Sequence, residues 1–148
     1  MPAYRFGNMW SEYATANLFL ITTNSTINTK GQLVMGRGIA KEAADRYPKL
    51  PLQAGQIIQK YCGNLGIYGL YISKHWPKTK LGLFQVKRNY KDKAELDLIQ
   101  RSINMLDFWL IGRDRLQVHL NFPGGGLAYE EVYPIVNVLG DNVVIWTI

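Results

Sequence analysis

Short runs of apolar and β-branched residues alternate along this chain with longer segments in which apolar residues recur every three or four positions. The short runs predict six β-strands. They lie at residues 4–6, 18–23, 68–74, 83–87, 116–122 and 143–147. The second run begins Leu-Phe-Leu-Ile without a polar interruption, which is typical of a central strand buried on both faces.

Four helices are predicted between these strands. The clearest covers residues 94–111, where five apolar side chains form one stripe and Gly112 follows as a stop signal. Another begins after Gly38 and ends near residue 47, because the residue before Pro48 disfavours the helical region. The remaining two are expected at residues 52–61 and 129–139. Strands interleaved with helices of this length predict an α/β sandwich.

The composition narrows the class of protein. The chain has 148 residues, 47% of them hydrophobic, which predicts one domain over residues 1–148. Its single cysteine excludes an internal disulfide and a zinc site built from several cysteines, so we expect no metal and a reducing compartment. No run of about 18 apolar residues occurs, and the amino terminus lacks the apolar core of an export signal. We therefore expect a cytoplasmic protein with no membrane partner.

The positive charge is concentrated in one segment. The chain carries 17 Lys and Arg against 11 Asp and Glu, a net charge of +6. Residues 74–93 hold seven basic side chains and one acidic one, so this segment alone equals the whole excess. We interpret the segment in one of two ways. It is either a solvated basic loop with lysines on the exposed face of a strand, or a positively charged surface that binds a phosphate-bearing partner. His75, Trp76 and Tyr90 lie among the charges, so a nucleic acid is a possible partner.

Two glycine-rich turns each follow a predicted strand and precede a predicted helix. They lie at residues 24–38 and 123–126. Glycine lets the backbone approach a ligand closely, and a helix N-terminus offers free N–H groups, so each turn is a candidate phosphate site and the pair suggests a diphosphate. Asn24 and Asn28 in the first turn have amides suited to sugar hydroxyls. Neither a dinucleotide fingerprint nor a Walker motif is present, and no cofactor is expected.

Several motifs together resemble the macro domain, the ADP-ribose-binding fold. These are Gly-Asn-Met-Trp at residues 7–10, Thr-Thr-Asn at 22–24, Val-Met-Gly-Arg-Gly-Ile-Ala-Lys at 34–41 and Pro-Gly-Gly-Gly-Leu at 123–127. The resemblance covers nearly the whole chain. It is strongest to the branch that contains the terminal ADP-ribose glycohydrolase, the DNA ADP-ribosyl glycohydrolase antitoxins, and phage and bacterial relatives. It implies a three-layer α/β/α sandwich with a mixed central sheet.

The resemblance also assigns candidate ligand-binding residues. Asn8 stands where the family has an Asp that recognises the adenine amino group, with Met9 beside it, and Asn24 after Thr23 matches an asparagine near the distal ribose. The ribose and diphosphate are expected on Met35, Gly36, Arg37, Gly38 and Ile39. The second phosphate turn is expected at Pro123, Gly124, Gly125, Gly126 and Leu127, with Tyr129 in place of a family tryptophan. This turn is about three residues shorter than the family pattern and lacks the aspartate that assists the terminal glycohydrolase.

Lys87 is the one candidate catalytic residue. A lysine at the end of an apolar strand is commonly a surface residue. In the branch named above, a lysine at the corresponding strand end enters the ligand cleft and serves catalysis. The neighbouring cation Arg88 would favour a neutral amine on Lys87, which could attack the anomeric carbon of the distal ribose.

Three functions remain open from the sequence. They are hydrolysis of an ADP-ribosyl linkage, non-catalytic binding of ADP-ribose or a related NAD-derived nucleotide, and dephosphorylation of ADP-ribose 1″-phosphate. Lys87 favours the hydrolase, and the short second turn without an acidic residue favours the binding module. The partner is accordingly ADP-ribose or an ADP-ribosylated macromolecule. Whether the substrate is DNA, protein or a free nucleotide, and the oligomeric state, stay open.

Overall fold

The fold is a six-stranded sheet with helices on both faces. The computed structural model describes residues 1–147. The strands are β1 (Ala3–Phe6), β2 (Leu18–Thr23), β3 (Leu70–Tyr71), β4 (Leu81–Gln85), β5 (Val118–Asn121) and β6 (Val143–Thr147). The helices are α1 (Gly38–Arg46), α2 (Leu50–Cys62), α3 (Leu96–Trp109) and α4 (Tyr129–Val136), with a single 3-10 turn at Met9–Glu12. None of the helices in this part of the chain is both long and apolar enough to cross a membrane.

The sheet is mixed. Its strand order is β1-β6-β5-β2-β4-β3, and every neighbouring pair is parallel except β3 with β4. The five parallel strands therefore end at the same edge of the sheet. The residues that follow these strand ends are brought together there, although they are far apart in the sequence.

Side chains of the central strand alternate between two apolar layers. Leu18 and Leu20 pack with residues of α3 and α4, whereas Phe19 and Ile21 pack with residues of α1 and α2. All four are fully buried, as the uninterrupted apolar run predicts. The expected three-layer α/β/α sandwich with a mixed sheet is confirmed.

Several elements differ from the sequence prediction only in their bounds, among them β4, β5, α3 and α4. Three further differences have a visible structural context. β3 is two residues long instead of seven, because the N–H groups of Tyr68 and Gly69 donate to the Gln85 side chain and Gly69 has a positive φ of 71°. α2 begins at Leu50, since proline is tolerated in the first helical turn. The 3-10 turn at Met9–Glu12 was not predicted, and the Asn8 side chain caps it by accepting from the N–H of Trp10.

Gly55→Ala tests how tightly α2 holds the first glycine turn. Replacing a glycine in a helix interior by alanine normally stabilises the helix by about 1 kcal/mol. Here a Cβ at Gly55 would overlap the carbonyl oxygen of Gly31 and lie 3.1 Å from the amide nitrogen of Leu33. We expect Gly55→Ala to lower the free energy of unfolding by about 1–3 kcal/mol, measured by chemical denaturation. The exposed neighbour Gln56→Ala is the control, and a stabilised Gly55→Ala would contradict the packing.

Candidate functional site

A cleft of about 750 Å³ lies at the carboxyl edge of the sheet. It runs across the ends of β6, β5 and β2 to the residues that follow β4, which is about 14 Å at about 4.8 Å per strand. The volume is within the ordinary range for small-molecule sites, roughly 300–1,000 Å³. The cleft is therefore large enough for an elongated ligand of nucleotide size.

The first glycine turn forms one wall and is held by buried polar groups. Asn24, 7% exposed, donates from Nδ2 to the carbonyl of Val34 at 2.9 Å and accepts at Oδ1 from the N–H of Thr26 at 2.9 Å. The Tyr68 hydroxyl bonds the Thr23 hydroxyl and donates to the Asn24 carbonyl, and burial raises the pKa of Tyr68. Asn24 therefore braces the two ends of this turn, which fixes the wall before any ligand arrives.

The N-terminus of α1 opens onto the cleft. The residue before the helix, Arg37, provides no side-chain cap, and the first helical hydrogen bond runs from the N–H of Lys41 to the carbonyl of Arg37. Within residues 1–147, the N–H groups of Gly38, Ile39 and Ala40 donate to no protein acceptor. A Cβ at Gly36 would meet nothing within 4 Å. Free donors, a helix dipole and open space at a glycine together suit an anion.

The second glycine turn contributes less to the cleft than the sequence predicts. Of its residues only Gly125 lines the cleft. Gly125 has a positive φ of 51°, its carbonyl accepts from the N–H of Ala94 at 2.8 Å, and a Cβ there would lie 2.6 Å from the Cβ of Ala94. The turn thus packs against the chain that precedes α3. The members of the predicted set that do not line the cleft are Pro123, Gly124, Gly126, Leu127 and Tyr129.

Lys87 follows β4 and lines the far end of the cleft. Its Nζ donates to the carbonyl oxygens of Tyr90 at 3.1 Å and Asp92 at 3.0 Å. These two acceptors account for two hydrogens on the nitrogen. The remaining position carries either a third N–H, in the ammonium, or a lone pair, in the neutral amine.

Arg88, the cation next to Lys87 in the sequence, is paired with a carboxylate. Its guanidinium forms a salt bridge with Glu95, with N–O distances of 2.8 and 3.2 Å. The Glu95 hydrogen bond and charge raise the pKa of Arg88, and the same pairing lowers the pKa of Glu95. Arg88 is therefore paired with Glu95 and is not an isolated cation beside Lys87, and its expected effect on the Lys87 amine stays a prediction.

The opposite end of the cleft is built on β6 and the residues after β1. Trp146 is 7% exposed and donates from Nε1 to Nδ1 of the fully buried His119 at 2.8 Å. Asn8 and Met9 lie beside it in the lining. The side-chain oxygen Oδ1 of Asn8, which the resemblance assigned to an adenine amino group, accepts from the N–H of Trp10 and so caps the 3-10 turn. A flat apolar wall with a polar edge suits an aromatic base.

His119 makes stability depend on pH. Burial lowers the pKa of His119, an effect that Arg5 reinforces and Glu12 opposes. The unfolded chain, with an ordinary pKa of about 6.5, takes up a proton that the folded state excludes. The contribution of neutral His119 to the free energy of unfolding is therefore full above about pH 6.5 and is lost at lower pH. The free energy of unfolding falls there by up to about 1.4 kcal/mol per pH unit.

Denaturation at a series of pH values measures this contribution. We expect the slope between about pH 6.5 and 5 to flatten in His119→Gln, which keeps an acceptor for Trp146 but cannot titrate in that range. Loss of stability below about pH 4.5 should persist, because Glu95 has a lowered pKa. An unchanged slope above pH 5 in the variant would contradict the assignment to His119.

The cleft brings together eleven of the predicted site residues. These are Asn8, Met9, Thr23, Asn24, Met35, Gly36, Arg37, Gly38, Ile39, Lys87 and Gly125. Asn28, proposed for sugar contacts, instead accepts from the N–H groups of Lys30 and Gln32 within its own turn. Prominent lining residues that sequence reasoning missed are Asn121, Trp146, Glu42 and Asp92. The first two lie at the carboxyl ends of β5 and β6, and they reach the cleft because of the order of the strands in the sheet.

The basic segment 74–93 is not one surface patch. β4 runs through its middle, so residues 74–80 and 87–93 lie at opposite edges of the sheet, roughly 20 Å apart at about 3.3 Å per residue. Lys80 is also occupied, since its Nζ donates to the Ala14 carbonyl and lies 4.5 Å from the centre of the Tyr13 ring. The charge cluster of the sequence thus divides between the cleft rim and a remote loop. Across the described chain, no group of His, Cys, Asp or Glu is arranged to hold a metal ion.

Comparison with known proteins identifies the fold. No protein-family profile and no curated protein matches the sequence. The macrodomain of Thermus aquaticus DarG is similar in structure, with a TM-score of 0.69 and 20% identity over 99% of this chain and 96% of that one. The macrodomain of Mycobacterium tuberculosis DarG is similar with a TM-score of 0.72 and 21% identity, and the match covers 100% of this chain and 98% of that one. Thermosipho africanus DarTG in complex with ADP-ribose is similar with a TM-score of 0.69 and 19% identity, and the match covers 97% of this chain and 41% of that one. The chain therefore has the macrodomain fold, as its motifs predicted.

Proposed function

We propose that the cleft binds ADP-ribose and that the protein hydrolyses an ADP-ribosyl linkage. The start of α1 is the observation that supports binding, because three adjacent N–H groups there have no acceptor among residues 1–147 and lie at the cleft beside Gly36. A diphosphate there would receive backbone hydrogen bonds and the positive end of the helix dipole.

The ligand orientation follows from the two ends of the cleft. Trp146 and Asn8 offer a flat wall and a polar edge for the base, and Lys87 lies at the other end for the distal ribose. A protein with the same fold, Thermosipho africanus DarTG, is known in complex with ADP-ribose, which supports this choice of ligand. The motif resemblance gives Asn8 and Lys87 the same two roles.

Hydrolysis would use the third position on the Lys87 nitrogen. The neutral amine attacks the anomeric carbon of the distal ribose while the bond from that carbon to the modified group breaks. The departing group keeps the electron pair and takes up a proton, and the nitrogen loses one to a nearby base. Water then replaces the nitrogen, which releases ADP-ribose and restores the lysine. Glu42 and Asp92 are the carboxylates in the cleft lining and are the candidate proton carriers.

Non-catalytic binding is the second candidate, and the Lys87 contacts favour it. Two carbonyl acceptors suit an ammonium, whose third N–H could donate to the ligand instead of attacking it. The second turn also supplies no acidic residue to the cleft. In this alternative the cleft recognises ADP-ribose and leaves the linkage intact.

Incubation with ADP-ribosylated DNA and with ADP-ribosylated protein separates the two candidates. The proposal predicts that free ADP-ribose is released from at least one of them, and the substrate that reacts identifies the modified group. Retained binding of ADP-ribose with no release from either substrate would establish the binding module. If ADP-ribose does not bind at millimolar concentration, both candidates are wrong.

A further inference from the structure

A second concave surface lies away from the cleft, between α3 and β3. This β3 groove has a volume of about 610 Å³ and is lined chiefly by Leu70, Ile72, Trp76, Met105, Phe108 and Trp109. Phe108 is 77% exposed. An apolar surface of this kind on a folded domain commonly marks an interaction site. We infer that the β3 groove docks an extended acidic peptide segment of a partner protein.

The groove is preformed. The Trp76 and Trp109 rings meet edge to face at 5.0 Å, and the Arg113 guanidinium lies 4.4 Å from the centre of the Trp109 ring. The Trp76 indole also donates to the Asn17 carbonyl at 3.0 Å. A partner therefore need not order these side chains, which lowers the entropic cost of binding.

β3 offers backbone groups to an extended segment. It is the last strand of the sheet, and within residues 1–147 only β4 pairs with it. The N–H and carbonyl of Gly69 both bond Gln85 on the β4 side. In an antiparallel pair the N–H and carbonyl groups of successive residues face opposite sides of the strand. Those of Leu70, which follows Gly69, therefore point away from β4, towards an added strand.

The charges around the groove select an acidic partner. Lys74 and Lys78 lie on the loop that follows β3, and Arg101 lies one turn before Met105 on the helix, with its Cγ close to Gly69. All three are exposed, and none forms a salt bridge with any residue from 1 to 147. The groove lining contains no carboxylate. Acidic side chains on either side of an apolar anchor would match this arrangement.

The geometry of the rings favours a peptide over a single-stranded nucleic acid. Successive bases need exposed ring faces on which to stack. The two indoles are perpendicular, and Arg113 covers one face of Trp109. Among the lining aromatics, only Phe108 is largely exposed. A small apolar groove beside a free strand edge instead fits alternate side chains of an extended peptide.

A displayed library of random short peptides, panned on the wild-type protein, tests the inference. We expect the enriched peptides to carry acidic residues around an apolar anchor. In fluorescence polarisation, their affinity should fall at least tenfold for Phe108→Asp and for Lys74→Glu combined with Lys78→Glu. The matched pair Lys49→Glu with Lys60→Glu, at the two ends of α2, should bind them as the wild type does. The thermal unfolding midpoint of every variant reports correct folding, which keeps this test separate from the proposed function.

Several results would overturn the inference. One is a library that yields no peptide above background, and another is enriched peptides that bind the charge-reversed protein equally well. Binding of labelled single-stranded oligothymidylate that depends on Phe108 would assign the groove to nucleic acid. A wild-type dimer in sedimentation that Phe108→Asp dissociates would assign it to a second copy, whose residues 116–148 carry three acidic and no basic side chains.

Discussion

Lys87→Ala is expected to abolish the release of ADP-ribose from an ADP-ribosylated substrate while the variant still binds ADP-ribose. The amine is the proposed nucleophile, and the three N–H groups at the start of α1 remain in place. Lys87→Arg should also be inactive, because a guanidinium stays protonated throughout the working pH range. Its retained charge should keep the dissociation constant within about tenfold of the wild type, which is about 1.4 kcal/mol.

Two controls accompany this prediction. Lys91→Ala removes another cation from the cleft lining without touching the Lys87 contacts, so it should keep turnover. Lys87→Met keeps the aliphatic stem of the side chain and should be as inactive as alanine. Full activity in Lys87→Ala would contradict the nucleophile and favour attack by a water that Asp92 or Glu42, carboxylates of the described cleft lining, activates.

Gly36→Glu is expected to lower the affinity for ADP-ribose by at least a hundredfold, about 2.7 kcal/mol, with little change in the unfolding midpoint. A Cβ at Gly36 meets nothing within 4 Å, and this glycine does not have a positive φ, so the fold accommodates the side chain. The added carboxylate would lie in the cleft beside the free N–H groups and repel a diphosphate. Gly38 is a poorer probe, because its φ of 58° strains any larger residue.

Calorimetric titration and thermal unfolding measure the two quantities in this prediction. Gln53→Glu adds the same charge on the exposed surface of α2 and should leave the affinity unchanged. Gly36→Ala should weaken binding far less than Gly36→Glu, since it adds little bulk and no charge. Wild-type affinity in Gly36→Glu would place the ligand elsewhere on the molecule.

The fold was predictable where a periodic pattern coincided with burial. The apolar run identifies β2 to the residue and the apolar stripe identifies α3 to within two residues at each end, because each element buries the side chains that its period brings to one face. β3 was overestimated, since the side chain of Gln85 takes the N–H groups of Tyr68 and Gly69 out of the ladder. Nothing in the sequence around residue 68 reports that long-range contact.

The site was predictable only where its signal is local. Gly36 and Gly38 could be identified because a glycine turn before a helix is visible in consecutive residues. Trp146 could not, since its place in the cleft depends on which strands are neighbours in the sheet. The second turn was overvalued for a similar reason: Gly125 packs against Ala94, a contact that the sequence does not show.

Amide chemical shifts in the ¹⁵N-labelled protein, followed as ADP-ribose is added, show whether a diphosphate binds at the start of α1. We expect saturable shifts of the Gly38, Ile39 and Ala40 amides, because these donors have no acceptor within residues 1–147. The amide of Gly112, beyond the far end of α3, should not move. No shift at millimolar ADP-ribose, or shifts confined to the β3 groove, would contradict a diphosphate site at the start of α1.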